Sequence, residues 1–436
     1  MSATTNFQTA DASVHLQVCS QCDSVVEVPV LQRAETASCP QCGHVMQRFQ
    51  GWSPKQLLAI CATAWILLLH VLYYPLVTLE MFGSKQNTSI WESVLFAWGA
   101  GHWAVGWMTF LNAILLPITE LAVITSALWC VAIGAGRKFL VWALRAVEVA
   151  RSWNMLAVFL LGVLVALIKL SSMGALDFGV GLFSLGCLVL VLGVLQRVDA
   201  HTLWRMAEER GLVVRSALTP QMLAQNPHWQ EHYMVCHHCG MVHSRPEQVQ
   251  GIPACVRCGR SMFERKRHSL RRCWALLLTA LVFYIPANLL PIMSTGKLQQ
   301  PDIEHTILSG VVDLYTDGSP GIAVVVFVAS LAVPVLKFIV MLWLLLSIQW
   351  RAFDDVRERA WLFRVMEFIG QWSMLDVFVV ILLAALVHFE GLARVQIGTA
   401  AWSFGTMVIF TMLAAQQFDP RLLWDKHAQH TLEKSS

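Results

Sequence analysis

Two adjoining stretches decide the fold of this chain: CHHCGMVHSRPEQVQGIPACVRC at residues 236–258 and CWALLLTALVFYIPANLLPIM at residues 273–293. The first contains two Cys-x-x-Cys motifs separated by 15 residues, which is the spacing of a four-cysteine zinc ribbon. The second has no charged residue, and about 20 apolar residues are enough to cross a bilayer core. The pair therefore predicts a small metal-binding domain followed by a transmembrane helix.

The same succession occurs earlier in the chain, at an offset of about 216 to 220 residues. Five landmarks recur in the same order: Cys19/Cys22 and Cys236/Cys239, Cys39/Cys42 and Cys255/Cys258, Pro117 and Pro334, Trp153–Leu156 and Trp372–Leu375, and Val198–Trp204 and Phe418–Trp424. This order predicts two homologous halves. With an even number of spans in each half, the repeats run parallel, related by an axis along the membrane normal.

The composition indicates a multi-pass membrane protein. Hydrophobic residues make up 56% and charged residues only 14%, whereas soluble chains carry roughly a quarter charged residues. Long stretches with few or no charged residues predict eight spans. They lie near Leu57–Leu79, Trp103–Ile133, Trp153–Leu170, Phe178–Leu195, Cys273–Met293, Gly321–Ile348, Trp372–Phe389 and Ile397–Gln416. The second span of each half is too long for a simple crossing and contains a proline, so we expect it to tilt, to kink or to leave the membrane as an extended helix.

The predicted fold class is an all-α polytopic membrane protein made of two tandem repeats. Each repeat is a small cytoplasmic four-cysteine zinc ribbon, rich in β-structure, followed by a bundle of about four transmembrane helices. The predicted domains are zinc ribbon 1 (1–50), transmembrane module 1 (51–200), zinc ribbon 2 (201–265), transmembrane module 2 (266–425) and a C-terminal tail (426–436).

Basic residues fix the predicted orientation. They cluster between the second and third spans, before the fifth span, and between the sixth and seventh spans: Arg137, Lys138, Arg145 and Arg151; Arg265, Lys266, Arg267, Arg271 and Arg272; Arg351, Arg357, Arg359 and Arg364. The opposite loops carry only Lys85, Lys297 and Arg394. By the positive-inside rule, both termini and both ribbons are cytoplasmic.

The eight ribbon cysteines predict two structural zinc sites. Two short turns each present two thiolates, and four thiolates complete a tetrahedral shell around zinc with no open position for catalysis. The predicted ligands are Cys19, Cys22, Cys39 and Cys42 in the first ribbon and Cys236, Cys239, Cys255 and Cys258 in the second. A rubredoxin-like iron site and a redox or disulfide-forming pair of motifs are the alternatives.

Ionisable residues inside predicted spans are costly and mark candidate functional sites. Four stand out: Glu120, Lys169, Lys337 and Asp376. Ser330 lies seven residues before Lys337 and therefore on the same helical face, and Ser373 lies three residues before Asp376. We expect Lys337 and Asp376 to share a polar core with Ser330, Ser373 and Thr411, able to relay protons or to gate a pathway. Structural ion pairs between helices are the alternative.

Several function classes lack their motifs in this chain. There is no GxxxxGK[ST] phosphate loop, no HExxH metalloprotease motif and no G-x-S-x-G elbow. We therefore do not expect an enzyme. Arg265 to Arg272 form the most concentrated basic run, and anionic lipid headgroups beside the fifth span explain it better than nucleic acid does.

Several segments make the chain resemble the paraquat-inducible protein A family over nearly its whole length. The most specific are Arg267–Leu270 leading to Pro286–Pro291, Thr306–Gly310, Val333–Lys337, Gln371–Phe378 and Phe418–Asp425, together with the paired ribbons. The resemblance implies a polar network of Ser330, Lys337, Ser373, Asp376 and Thr411 in the second half. In the first half Lys169 fits the polar position, but an acidic partner is missing.

The resemblance also implies a location and partners. Members of that family reside in the bacterial inner membrane and work with periplasmic MCE (mammalian cell entry) proteins, whose tubes carry lipid between membranes. The expected function is to pass phospholipid to or from such a tube, with proton coupling through the second-half cluster. The alternative is a non-transporting scaffold that anchors the MCE partner and senses stress through its ribbons.

Overall fold

The structure is a computed structural model. It describes residues 15–28, 31, 35–48, 51–81, 84–99, 103–170, 175–198, 200–214, 233–236, 238–244, 253–263, 265–297, 303–316, 320–350, 356–370, 379 and 393–425. The chain divides into two compact units. One unit comprises 1–53 with 198–264, and the other comprises 54–197 with 265–436.

Helices account for most of the residues that the structure describes. In order they are α1 (Pro54–Tyr73), α2 (Ile90–Gly99), α3 (Trp103–Thr109), α4 (Leu116–Ile133), α5 (Arg137–Trp153), α6 (Leu156–Leu170), α7 (Val180–Gln196), α8 (Ala200–Glu209), α9 (Ser269–Leu289), α10 (Ile307–Thr316), α11 (Pro320–Phe327), α12 (Val333–Gln349), α13 (Val356–Gly370) and α14 (Ala400–Gln417). Two π-helical segments, Phe110–Leu115 and Val328–Ala332, join α3 to α4 and α11 to α12.

The strands are short. They are β1 (His15–Val18), β2 (Val25–Val28), β3 (Thr36–Ser38), β4 (Val45–Arg48), β5 (Val77–Met81), β6 (Ser84–Thr88), β7 (Ala175–Phe178), β8 (Tyr233–Val235), β9 (Val242–Ser244), β10 (Met293–Lys297), β11 (Ile303–His305) and β12 (Ala393–Ile397). The pairs β1–β2, β3–β4 and β8–β9 are antiparallel hairpins, and each contributes to a cysteine-containing ribbon in the first unit.

Five described helical segments are long and apolar enough to cross a membrane: Pro54–Tyr73, Phe110–Ile133, Arg137–Leu167, Ser269–Leu289 and Ala323–Gln349. A sixth is obtained if α7 and α8 are counted as one broken span. Many of the apolar side chains on these segments face outward, among them Leu69 and Val282, which are 61% and 66% exposed. Exposed apolar surface of this extent is suited to lipid. The predicted span Trp372–Phe389 lies almost entirely outside the described residues.

The two long proline-containing spans are interrupted by π-helical turns. Phe110–Leu115 ends two residues before Pro117, and Val328–Ala332 ends two residues before Pro334. Proline has no N–H, and its ring clashes with the carbonyl of the preceding turn. A wider π turn accommodates both effects. The wide turns place two polar side chains, Asn112 and Ser330, in buried positions.

Two three-stranded antiparallel sheets were not predicted. Their strand orders are β6-β5-β7 and β11-β10-β12. The first span was predicted to reach Leu79, but its helix ends at Tyr73, just before Pro75, and Val77–Met81 is a strand. The fifth span was predicted to reach Met293, but its helix ends at Leu289. Each misassigned end pairs with a strand roughly one hundred residues further along, β7 or β12, so local hydropathy carries no trace of it.

Each sheet connects to two helices that pack against each other. Its central strand follows one of these helices along the chain, and one of its outer strands precedes the other helix. The helix pairs are α1 with α7 and α9 with α14. Gly179 lies between β7 and α7, and Gly398 lies between β12 and α14. A Cβ on Gly179 would lie 2.1 Å from the carbonyl oxygen of Pro75, and a Cβ on Gly398 would lie 2.1 Å from that of Pro291. Only glycine permits this approach.

Buried apolar residues of α9, α12, α13 and α14 form the core of the second half. Leu344, Leu345 and Ala414 are completely buried, and the ring of Phe363 packs against that of Phe418 at a tilt of 39°, with centroids 4.9 Å apart. The Cys273 thiol is also buried and donates to the Ala414 carbonyl at 3.3 Å.

Candidate functional site

The eight ribbon cysteines form two buried clusters of four. In each cluster the Sγ atoms all lie within 4.8 Å of one another. Cys19 is 3.5 Å from Cys42 and Cys22 is 3.5 Å from Cys39, and the second cluster repeats these distances between Cys236 and Cys258 and between Cys239 and Cys255. No disulfide joins the described cysteines. Four converging thiols of this kind can bind one metal ion.

Tight turns in the left-handed region bring the thiols together. Gly43, Gly240 and Gly259 have φ of 71°, 68° and 65°, and each donates its N–H to the carbonyl of the first cysteine of its motif. In the remaining turn Asp23 takes the same conformation, with φ of 57°. Asp tolerates this region better than most residues. All four Cys-x-x-Cys motifs therefore adopt one turn geometry.

Hydrogen bonds among the thiols of each cluster shift their pKa values. Hydrogen bonds from Cys19 and Cys22 lower the pKa of the Cys42 thiol to about 4. Hydrogen bonds from Cys236 and Cys239 lower the pKa of the Cys258 thiol to about 6. A lowered pKa favours the thiolate, the form that coordinates metal.

The histidines of the second ribbon lie around the thiols. His243 Nε2 is 3.2 Å from Cys255 Sγ, and His238 lies beside Arg260, with the His238 Nε2 to Arg260 Nη1 distance 3.1 Å. His237 lies outside the described residues.

Arg257, between the last two cysteines, fastens the second ribbon to α8. Its guanidinium donates to Glu208 at 2.8 Å, to the Val214 carbonyl at 2.7 Å and to the Cys239 carbonyl at 3.3 Å. The side chain is only 4% exposed. Because this buried guanidinium bonds to three groups, we expect α8 and the cysteine turns to fold and unfold together.

Lys337 lies in the middle of the second half. The residue is 5% exposed, and its ammonium donates to the Gly370 carbonyl at 2.8 Å and to Thr411 Oγ1 at 3.4 Å. A Cβ on residue 370 would lie 2.6 Å from Lys337 Cε, so glycine leaves the space that the lysine occupies. The structure thus brings together Lys337 and Thr411, and it adds Gly370, which was not predicted.

The other predicted polar residues of the second half are placed as follows. Ser330 is fully buried in the π-helical segment and donates to the Val326 carbonyl at 2.6 Å. Ser373 and Asp376 lie outside the described residues, so their pairing with Lys337 stays a prediction. Lys169 lies near the end of α6, but its side chain is outside the described part of the structure.

Glu120 is the centre of a buried polar group in the first half. Its carboxylate is 0% exposed, accepts a short hydrogen bond from the Asn154 amide and lies 3.6 Å from the Arg151 guanidinium. Arg151 also donates to the Leu195 carbonyl at 3.0 Å. Asn154 and Arg151 were not predicted. One indication was available, since Asn154 in Trp153–Leu156 matches the candidate Ser373 in Trp372–Leu375.

A cavity of about 400 Å³ opens beside Lys337. Its polar lining comprises Arg151, Lys337, Arg364, Glu367, Thr411 and Gln416, together with the backbone of Gly370. The volume falls within the usual range for small-molecule sites. Residues of both sequence halves therefore line one cavity next to the buried lysine.

The segment before α9 is fastened to the end of α14. Lys266 Nζ donates to the carbonyls of Gln416 and Phe418 at 2.6 and 2.9 Å, and its backbone N–H donates to Asp419 at 3.0 Å. Arg421 donates to Asp419 from Nε and Nη2 at 2.8 and 2.9 Å. Cations at a helix C-terminus are favourable there.

Charge and burial act in opposite directions on these groups. Burial lowers the pKa of Lys266. Burial alone would raise the pKa of the Asp419 carboxyl, but the hydrogen bonds and charge of Arg421 outweigh it and hold that pKa below its usual range.

These features define a class of protein: a multi-pass membrane protein with two four-cysteine clusters able to bind metal and with a buried lysine beside a cavity. The chain belongs to the paraquat-inducible protein A family. The family model, described as Paraquat-inducible protein A, matches residues 55–208 and again residues 270–428.

Curated relatives cover nearly the whole chain. It is 33% identical to the Lipophilic envelope-spanning tunnel protein A of Escherichia coli K12 over 94% of this chain and 91% of that protein. It is 33% identical to the Intermembrane transport protein PqiA of the same strain, over 97% and 99%. A Probable intermembrane transport protein of Haemophilus influenzae is 30% identical, over 93% and 95%. No solved structure gives a significant match.

Proposed function

We infer that this protein is an inner-membrane component of an intermembrane phospholipid transport system that passes lipid to or from a periplasmic MCE-protein tube. The observation that carries the inference is the cavity lined by a buried, hydrogen-bonded Lys337 among candidate membrane spans. The names of the relatives, which speak of intermembrane transport and of a lipophilic tunnel, support the same reading. A protein of this kind carries lipid and is not an enzyme.

The finer architecture is part of the proposal. The chain forms two tandem repeats with the predicted domain boundaries, and both termini and both ribbons face the cytoplasm. Support comes from the twofold match of the family model and from the bias of basic residues. Each ribbon binds one zinc ion through its four cysteines, because four buried thiols without an open position suit a structural zinc site.

Transport is coupled to protons through Lys337 and Asp376 in this proposal. Lys337 is a buried ionisable group with only a carbonyl and a hydroxyl as its described hydrogen-bond partners, and such groups mark proton and substrate pathways in membranes. The chain has no phosphate-binding loop that would supply energy from ATP.

Complementation of a strain that lacks this protein tests the function. We expect Lys337→Met and Asp376→Asn to reach the membrane and to bind the MCE partner but to leave the outer-membrane barrier defective, because a neutral side chain cannot carry the proton. Ser347→Ala is a matched control, since Ser347 is buried in the same helix as Lys337 and donates only to its own turn at Leu344. Full restoration by both charge variants would indicate a non-transporting scaffold instead.

A further inference from the structure

The cavity beside Lys337 combines basic and apolar walls. Arg151 comes from α5 in the first half, Lys337 from α12, and Arg364 from α13. Glu367 is the acidic residue among the lining side chains, so the basic groups outnumber the acidic ones by three to one. Partly desolvated guanidinium groups attract an anion far more strongly here than they would in water.

The apolar wall is the part of the same lining that carries apolar side chains. Leu277, Met341 and Met412 are 5%, 2% and 7% exposed, and Phe368, which also lines the cavity, is 67% exposed. Methionine side chains adapt to irregular apolar ligands. A ligand that fits both walls has an anionic head and an apolar tail.

Two groups of the first half position the Arg151 guanidinium. Glu120 lies 3.6 Å from its Nε, and the Leu195 carbonyl accepts from its Nη2 at 3.0 Å. Asn154 holds the Glu120 carboxylate in turn. A guanidinium carries five donors in a fixed fork, so one arginine can contact a carboxylate and a phosphate at the same time. Glu120 is therefore a positioning group for the arginine.

Arg364 is placed by its own helix. Its Nε donates to the Ala360 carbonyl at 3.2 Å, one turn earlier in α13. The guanidinium is half-buried at the cavity wall. Two arginines from different halves thus line the same cavity as Lys337, and this arrangement suits the tetrahedral oxygens of a phosphate.

We propose that this cavity binds the phosphate of a lipid headgroup through Arg151 and Arg364, with the apolar tail on the wall formed by Leu277, Met341, Phe368 and Met412 and with Glu120 positioning Arg151. The proposal rests on the proposed transport function and adds to it a site to which the first half contributes. Free phosphate shares the headgroup chemistry, and the experiment distinguishes the two.

Lipid binding to the full-length protein in detergent tests the site. The probes are phosphatidylglycerol, diacylglycerol, which lacks the phosphate, and inorganic phosphate, which lacks the tail. We expect saturable binding of phosphatidylglycerol that Arg151→Gln and Arg364→Gln each weaken about tenfold, because each loses a charge-assisted hydrogen bond. Inorganic phosphate is expected to compete only weakly. The matched controls, Arg137→Gln and Arg357→Gln, remove exposed arginines from the same two helices and are expected to bind as the wild type does.

A Glu120→Gln variant separates positioning from folding. We expect it to reduce the preference for phosphatidylglycerol over diacylglycerol while the melting temperature and diacylglycerol binding change little. A parallel loss of both lipids, together with a lower melting temperature, would show that Glu120 is merely structural and would overturn its assigned role.

Lipid transfer to acceptor vesicles, measured on the same variants, distinguishes the failure of this site from the failure of the proposed function. Wild-type transfer together with unchanged phosphatidylglycerol binding in both arginine variants would overturn the site and leave the function standing. If inorganic phosphate binds as tightly as phosphatidylglycerol and the wild type transfers no lipid, then the cavity is a site for free phosphate and both proposals fail.

Discussion

At the scale of single residues, close contacts distinguish the buried lysine from an ordinary helix residue. Lys337 reaches the carbonyl at the end of α13 because residue 370 has no side chain. Among the described residues, this carbonyl and the Thr411 hydroxyl, and no carboxylate, accept hydrogen bonds from the ammonium. The position of the charge therefore depends on the position of α13.

Replacing Gly370 tests this contact. In Gly370→Ala the new Cβ would lie 2.6 Å from Lys337 Cε, so we expect the ammonium to move away from the carbonyl. Because the end of a lysine is flexible, the melting temperature should change little while transport falls toward that of Lys337→Met. Gly193→Ala is the control, since a Cβ there meets nothing within 4 Å. Wild-type transport in Gly370→Ala would contradict a role for the contact.

Asp419 is a second residue whose contribution is measurable, and its pKa sets the pH dependence. The folded-state pKa is held below its usual range, chiefly by Arg421 acting against burial. The stabilisation is therefore present above the ordinary pKa of an aspartate and is lost as the pH falls through the folded-state value.

Thermal melting in detergent checks this sign. At pH 7 we expect Asp419→Asn to cost about 2 kcal/mol, the value of charge-assisted hydrogen bonds to a buried carboxylate, and we expect the difference to vanish in acid. Asp425→Asn is the control, because its ion pair with Arg265 is about one-third exposed and should contribute little. An equal loss at both pH values would show that Asp419 acts by packing alone.

At the level of secondary-structure elements, we expect the ribbons to depend on a bound metal ion more than on an apolar core. Their hairpins have three or four residues per strand, too few to bury a stable interior. We therefore expect the cysteine turns and the Arg257 bridge to α8 to stay folded only when a metal ion links the thiols.

Metal analysis and limited proteolysis test this dependence. We expect two zinc ions per chain, one in Cys236→Ser, and two in the control Cys187→Ser, whose thiol is exposed on α7 and belongs to neither cluster. Chelation should expose the second ribbon and α8 to protease and leave α9 protected. Resistance of α8 after metal removal would contradict the coupling through Arg257.

The wide turns in the two proline-containing spans are also features of elements. The prolines predicted an irregular helix, and the structure shows the irregularity to be a π-helical turn that buries Asn112 and Ser330. Sequence indicates the position of such a break because proline removes a donor. It does not indicate the type of break, because that depends on which neighbours receive the freed carbonyls.

At the scale of the whole molecule, helices from both sequence halves enclose one cavity. Arg151 lies about thirty residues after Pro117 in the first half, while Arg364 and Thr411 belong to the second half. The positive-inside rule assigns Arg151 and Arg364 to cytoplasmic loops. That assignment explained their charge and overlooked their place beside Lys337.

The sequence by itself determined the class of the protein: many apolar spans, two ribbons with eight cysteines, and a lysine in a span. These follow from local chemistry, because transfer of a helix into lipid depends on its own residues and metal spacing depends on short turns. Folding alone sets the pairing of β5 with β7 and of β10 with β12, the contact between Lys337 and Gly370, and the placement of Arg151 and Arg364 around one cavity. Those features join residues about thirty to two hundred positions apart, and only packing brings such residues within reach of one another.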